Sequence, residues 1–456
     1  MAGLFSTLTS ASNALDAQRY GLDVTGQNIA NVNTEGYTRK QLDLAERPAP
    51  YGMGGVEVLG VHSTRDIFVN ARLRNELPSQ SFDSTKSDAL SVVESSIGAT
   101  GSSIDGALSA LFGSFATLSV DPQSSVKREG VRLQAGRLAN SFNELAGRFD
   151  ASRHESDASV RQSIPEVNAL SARIAQLNQR IGDANGVETA SLKDDLDLSV
   201  QKLAKLTRIS AITQPQGTVD VTTGAGRALV IGTSSYALTV SSAPATGLAE
   251  IRSGGVDITR ELKDGSIGGL LDIRDTTVPK YQARLDQLAY DVAQQVNTVH
   301  ASGYDGSGTA GGAFFQPIAS VSGAATVFKV DPAIAADASK IAASATGERG
   351  DNGTAVALAA LRDANVSNGG TATFVGSWSQ LVNQIATDGA DALNSLKTRG
   401  AVVTSIQRLR DSADGVSLDE EAGRLLQYQR AYEANAKFFS VVDSTLSTLL
   451  ATFGVR

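Results

Sequence analysis

The chain has 456 residues, of which 41% are hydrophobic and 19% charged, with no cysteine and a formal net charge of −8. That is material for roughly two to four units of about 150 residues, each with its own core. Disulfides, thiolate metal sites and cysteine nucleophiles are excluded; the acidic balance argues against nucleic acid, and no apolar run reaches the ~18 residues of a membrane span.

The first thirty residues repeat in steps of four and three. Leu4, Leu8, Ala11, Leu15, Gln18, Leu22, Thr25, Ile29 and Val32 fall on one seam of a helix. No charged n-region precedes an apolar stretch, so the segment does not read as a secretory signal; on that ground alone the cytoplasm is expected. Helical stripes follow at Ile104, Leu108, Leu111, Phe115 and Leu118, then at Leu138, Phe142, Leu145 and Phe149. Leu170, Ile174, Leu177 and Ile181 make another, and Leu192, Leu196, Leu203 and Leu206 the next.

From Ile209 to about Thr259 the pattern changes to short strands, predicted at 218–222, 227–231, 236–240, 249–252 and 256–259. Helix periodicity returns after Pro279 with Leu285, Leu288, Val292, Val296 and Val299. Residues 313–353 are rich in small side chains and read as an ambiguous small insert, with one strand expected at 326–330. Further helices are expected at 355–361 and 378–409. The last forty residues carry a second long seam, with Ala422, Leu425, Gln429, Tyr432, Ala436, Phe439, Asp443, Leu446, Leu450 and Phe453. Ser417-Leu418-Asp419-Glu420 reads as its capping box. Such a helix would extend about 50 Å, too long to cover its stripe against one short neighbour. The two termini are therefore expected to meet. The polar entries Gln18, Thr25, Gln429 and Asp443 would fix register at a cost in stability.

Candidates for chemistry are few. Gly306 to Gly311 matches GxGxxG, but it follows a helix rather than a strand, so it reads as a loop and not a dinucleotide site. Asp194, Asp195 and Asp197 read as a solvated helix face, and the acids at 419–421 as capping. His62, His154 and His300 are far apart in sequence, which disfavours a histidine metal site; His300 reads as structural. Trp378 is expected to anchor its helix to a core. No cofactor and no catalytic set is expected.

The segment Gln27 to Arg39 is richer in specific residues than a helix exit requires. Asn28, Asn31, Asn33, Thr34, Gly36 and Tyr37 crowd it. This segment resembles the N-terminal signature of the bacterial flagellar rod, hook and hook-associated axial family. Gln427 to Ala436, with Val442-Asp443 and Leu446 after it, resembles that family's C-terminal signature. Three internal stretches are similar to the family's hook–filament junction branch. They are Leu118 to Pro122 with Arg128; Gly268 to Asp275 with Leu285 to Ala289, Val296 and Asn297; and Ile341 to Ser344 with Gly350 to Asn352.

The resemblance implies a structural subunit, not an enzyme. It implies a mainly α fold with an inserted β domain: residues 1–45 and 416–456 as a terminal coiled-coil domain, 46–208 and 262–415 as an antiparallel helical domain, and 209–261 as the β-rich insert. It implies export unfolded through the flagellar channel without a cleaved signal, and a place at the hook–filament junction outside the cell. The implied partners are like subunits in a ring, the hook protein, the second junction protein (hook-associated protein 3) with the filament side, and an export chaperone. The assembly seam would be Leu4, Leu8, Leu15, Leu22 and Ile29. Leu425, Tyr432, Phe439, Leu446, Leu450 and Phe453 would form its C-terminal half and the chaperone site. A hook or distal-rod subunit is the alternative; an enzyme or adhesin activity in the inserts is the remote one.

Overall fold

The two ends of the chain lie side by side as long helices, α1 (Ala2–Ala30) and α12 (Leu418–Thr452). The computed structural model describes residues 2–47, 55–98, 104–184 and 187–452. The α1 face that is fully covered is made of small residues, Ala11, Ala17, Gly21, Val24, Thr25 and Asn28. Gly21 is required there. A Cβ would sit 2.5 Å from the Tyr428 ring. Leu4, Leu8, Leu15, Leu22 and Ile29 flank this strip and are half-buried. On α12 only Glu421, Val442 and Leu446 are buried, with Leu425, Phe439 and Leu450 half-buried. Tyr432 is 40% exposed, and Gln429 and Asp443 face water. The covered face of α12 is thus rotated from the heptad read in the sequence, because small residues on α1 set the close approach. Phe453 lies outside the described residues.

Between α1 and the first long helix stands an antiparallel hairpin that the sequence did not announce. Strand β1 (Lys40–Arg47) pairs with β2 (Gly55–Ser63), and Leu59 is the extra residue of a β-bulge. The hairpin lies on α1 through Val61 and Leu42, which meet Val24 and Ala190. Helix α2 (Ile67–Gly98) then runs antiparallel to α11 (Phe374–Asp414), with Val69, Leu73 and Leu77 against Val403 and Ile406.

The far end of this pair joins the larger core. It contains α3 (Ile104–Val120), the first half of α4 (Ser125–Asp183) and α7 (Val278–Ala301). The stripes at 104–118, 138–149 and 285–296 are all buried here, and so is Trp378. Each fully covered leucine or phenylalanine contributes about 1.5–3 kcal/mol. The stretch 313–353 is no separate insert. Phe314, Phe315 and Phe328 are fully buried and stack among Phe115 and Phe142. The expected strand at 326–330 is replaced by helix α8 (Ala324–Val327) and a single bridge from Val330 to Phe315. Asp286 decides this by accepting the N–H groups of Gly323 and Ala325. Short helices α9 (Pro332–Ala336) and α10 (Gly353–Ala360) complete the segment.

His300 closes that core and is fully buried. Its Nε2 accepts the Ala342 N–H at 2.8 Å, so Nδ1 carries the proton donated to Gly312 O at 2.8 Å. Burial lowers its pKa below the usual histidine value. The sign follows: the unfolded chain takes up this proton first, so the stability is intact above about pH 6.5 and falls as pH drops below it. His300→Leu is expected to cost about 2–4 kcal/mol by leaving both backbone groups unpaired. It should also flatten the loss of stability below pH 6.5, as read by urea denaturation at stepped pH.

The second core covers the far half of α4 and helix α5 (Val187–Leu206) with two small sheets. One has the order β3 (Ile209–Thr213), β4 (Val219–Thr223), β5 (Ala228–Ile231), β6 (Ser234–Ser235). The other has β7 (Leu238–Ser242), β8 (Ala249–Ser253), β9 (Val256–Asp257). Every pairing is antiparallel. The strands share their core with Val160, Ile164, Val167, Leu196 and Leu203, so the β unit is built on helix surface from both sides of the strand run. Helix α6 (Gly265–Asp272) leads back into α7 through one π-turn, Ile273–Thr277.

Candidate assembly clasp

Where α1 ends, five segments converge on the signature residues. Asn28 is 1% exposed and has all its hydrogen-bonding capacity used. Its Nδ2 donates to Lys40 O and to Glu421 Oε2, each at 2.9 Å. Its Oδ1 accepts the Lys40 N–H and the Tyr37 hydroxyl, also at 2.9 Å. One amide thereby ties the exit of α1, the start of β1 and the first turn of α12.

Glu421 is equally buried, and its other oxygen accepts from Arg39 Nε at 2.8 Å. The same guanidinium reaches Glu420 at 2.8 Å. The acids at the start of α12 therefore do more than cap it, as two of the three grip Arg39. The Arg39 N–H donates to Asp414 O at the end of α11. Asp414 is buried and accepts from Asp66 N and Asn70 Nδ2, which fixes the start of α2.

Asp194 corrects the sequence reading. It is 7% exposed, not on a solvated face. It accepts from the Thr38 N–H and hydroxyl and from Arg65. Burial raises its pKa, against the pull of Thr38, Arg65 and Lys40. Asp197 pairs with Arg74, while Asp195 stays exposed beside Arg173. Lys40 is buried above the Tyr37 ring, with Nζ bonded to Ser191 Oγ. Burial lowers its pKa despite Asp194. The Tyr37 phenol is pushed up by burial, then by Asp194 and Glu421, so it remains a neutral donor to Asn28.

The remaining signature residues shape the exit. Asn31 Nδ2 donates to Gln27 O, and its Oδ1 accepts the Thr34 hydroxyl. Gly36 has φ +82°, a left-handed conformation that other residues adopt only under strain. Sequence reasoning found Asn28, Asn31, Thr34, Gly36 and Tyr37 but missed Arg39, Lys40, Asp194 and Asp414. The internal stretches also meet. Arg128 donates to Pro122 O and to Ser339 O and Ile341 O, and Asn352 Nδ2 donates to Ser119 O. The GxGxxG segment is a turn folded on Asp305, whose carboxylate accepts from Ser307 and Thr309.

This arrangement fixes long helices to one another. The comparisons agree in order along the chain. Residues 8–38 match the model of flagella basal body rod proteins, residues 90–315 the helical domain of flagellar hook-associated protein FlgK, and residues 412–452 the C-terminal segment of flagellar basal body rod FlgEFG proteins. Flagellar hook-associated protein 1 of Bacillus subtilis is 27% identical, with 100% of this chain and 99% of the relative covered. The Salmonella typhimurium protein of the same name is 25% identical, over 98% and 99%. The flagellar hook junction protein FlgK of Burkholderia pseudomallei has the same fold at TM-score 0.67 and 18% identity, over 75% of this chain and 99% of that one. With the rod-type segments at its two ends and the hook-associated helical domain between them, the chain is similar to flagellar hook-associated protein 1 (FlgK) along its whole length.

Proposed function

We propose that the chain is a structural subunit that joins the flagellar hook to the filament. It leaves the cell unfolded through the flagellar channel and assembles as a layer on the hook. Its neighbours are like subunits in a ring, the hook protein on one side, and hook-associated protein 3 and the filament on the other. One observation carries this reading. The clasp holds α1 and α12 at one end only, and the far stretch of α12 keeps Tyr432, Phe438 and Val441 at 40–62% exposure. Exposed apolar side chains spread round a long helix fit burial on several sides in a polymer. Before assembly they need cover, which suits an export chaperone on α12. A chain without cysteine is also free of disulfides that would hinder threading.

Electron microscopy of cells lacking the gene, with a blot of the medium for filament protein, tests the reading. Hooks without filaments, and filament protein shed to the medium, are the expected result. Absence of hooks would place the subunit inward, in the hook or rod. Leu446 is 7% exposed against α1. Leu446→Asp is expected to leave the second core folded and to abolish filament attachment; normal filaments in that variant would remove the terminal pair from assembly.

A further inference from the structure

A cavity lies where the clasp meets the second core. The end of β2, the start of α2, one face of α5 and the β3–β4 turn wall it. Its volume is about 380 Å³, at the small end of the range of ligand sites. One side is apolar. Val61, Leu196, Val200 and Val219 are buried there, and Ile67 stands at the rim, 65% exposed. The other side carries Arg65, Arg74 and Lys193, all half-buried.

On that polar side donors outnumber acceptors. Asp197 is the one acid among the lining residues, and both its oxygens are taken. Oδ1 accepts from Arg74 Nη1 at 3.1 Å, and Oδ2 from Gln201 Nε2 at 2.7 Å. Arg74 therefore spends one of the five N–H groups of a guanidinium. Arg65 spends Nη2 on Asp194. His62 pairs with Asp43, and Asp195, on the same helix as Lys193, lies beside Arg173. Lys193 itself has no hydrogen-bond or ion-pair partner among the described residues. Its side chain lies over Gly217, where a Cβ would stand 2.9 Å from Nζ. Gly217 has φ +88°, so the turn keeps this space open and suits no larger residue.

We propose that this cavity binds a small amphiphilic carboxylate, with its head on Lys193 and the unspent N–H groups of Arg74 and its chain against Val61, Leu196, Val200 and Val219. The two sides name the ligand together. A purely apolar guest would shut the ammonium away from water without a partner. A bare inorganic anion would leave the apolar wall uncovered. A carboxylate takes charge-assisted hydrogen bonds from both kinds of cation, and a short hydrocarbon chain fills the rest. The walls also belong to different parts of the fold. Val61 is in the hairpin that lies on α1, and Val219 is in the second core. A bound molecule thus ties the clasp to the β unit. This site does not depend on the junction role.

Octanoate is the probe, with acetate as head without tail and octanol as tail without head. Each is titrated into the purified full chain by calorimetry, and hydrogen exchange is followed over 61–67 and 213–219. Octanoate should bind one per chain, about tenfold or more tighter than either control, and slow exchange in both segments together. Lys193→Glu should weaken octanoate by about tenfold or more, and Lys193→Arg should keep it. Lys193 has no partner to lose, so both variants should fold, which unchanged exchange over 104–149 and 160–181 checks. Absence of octanoate binding would overturn the proposal. Octanol binding as tight as octanoate would also overturn it, since that is adsorption to apolar surface. Octanoate binding that survives Lys193→Glu would place the ligand elsewhere and overturn it as well.

Discussion

Asn28→Asp should release both terminal helices while the two interior cores stay folded. The change is nearly isosteric, but it removes two donors and places a second carboxylate against buried Glu421. Glu421 then faces a like charge 2.9 Å away where an N–H had stood. Lys40 O also loses its donor. Breaking a buried, charge-assisted network by changing one member costs about 3–5 kcal/mol. The pieces held by this amide have little other covered surface, since α12 buries only Glu421, Val442 and Leu446. The loss therefore appears as local opening rather than global unfolding. Hydrogen exchange should quicken at least a hundredfold over residues 2–40 and 418–452 and stay unchanged over 104–149. In that background Glu421→Gln should recover part of the protection, because its amide donates to the new carboxylate. Unchanged exchange at both termini in Asn28→Asp would mean that the clasp does not hold them.

The position of Asn28 was legible in the sequence, and its partners were not. An exit with three asparagines and a glycine stands out locally. Glu421, however, is 393 residues away and sits in a run that capping explains by itself. Asp194 was hidden for a different reason. Leu192 and Leu196 point into the second core, and a single amphipathic stripe implies water on the opposite side. In fact α5 is covered on two faces, with Ala190 and Asp194 turned toward the hairpin and the α1 exit. Helices α3, α7 and α11 were legible because each buries one clean stripe. The hairpin β1–β2 was not, since Lys40, Gln41, Asp43, Glu46 and Arg47 break the alternation that marks a half-buried strand. The segment 313–353 was read as an insert because small residues dominate it; three phenylalanines decide its fate instead, and they show no period.

The joint between the two cores carries the other large expected effect. Helix α4 passes through both, and at its middle Asp157 is 6% exposed. Arg274, in the π-turn, is 3% exposed and donates to Asp157 Oδ1 at 2.6 Å and to Ala249 O at 2.9 Å. Asp157 also accepts the Ala249 N–H at 2.7 Å and Arg161 Nε at 2.8 Å. Burial by itself would raise this carboxyl, but the Ala249 N–H, Arg161 and Arg274 together hold it below the usual aspartate range. Arg274→Met keeps the volume and removes the charge. It should cost the second core about 3–5 kcal/mol, because a buried carboxylate loses one of its two arginine partners and Ala249 O loses its guanidinium donor. The single tryptophan, Trp378, lies in the first core. Its fluorescence should therefore change little, while hydrogen exchange over 209–262 quickens. The pH dependence fixes the cause. With a lowered folded pKa, the Asp157 contribution is present above about pH 3.9 and is lost as pH falls through the folded value. The gap between wild type and Arg274→Met should therefore be widest near neutrality and close toward pH 3. Asp157→Leu added to Arg274→Met removes the stranded charge, and it should return most of the lost stability. If it returned none, the joint would be held by its shape rather than by this ion pair, and the π-turn itself would be the element that keeps the β unit fixed on the helical shaft.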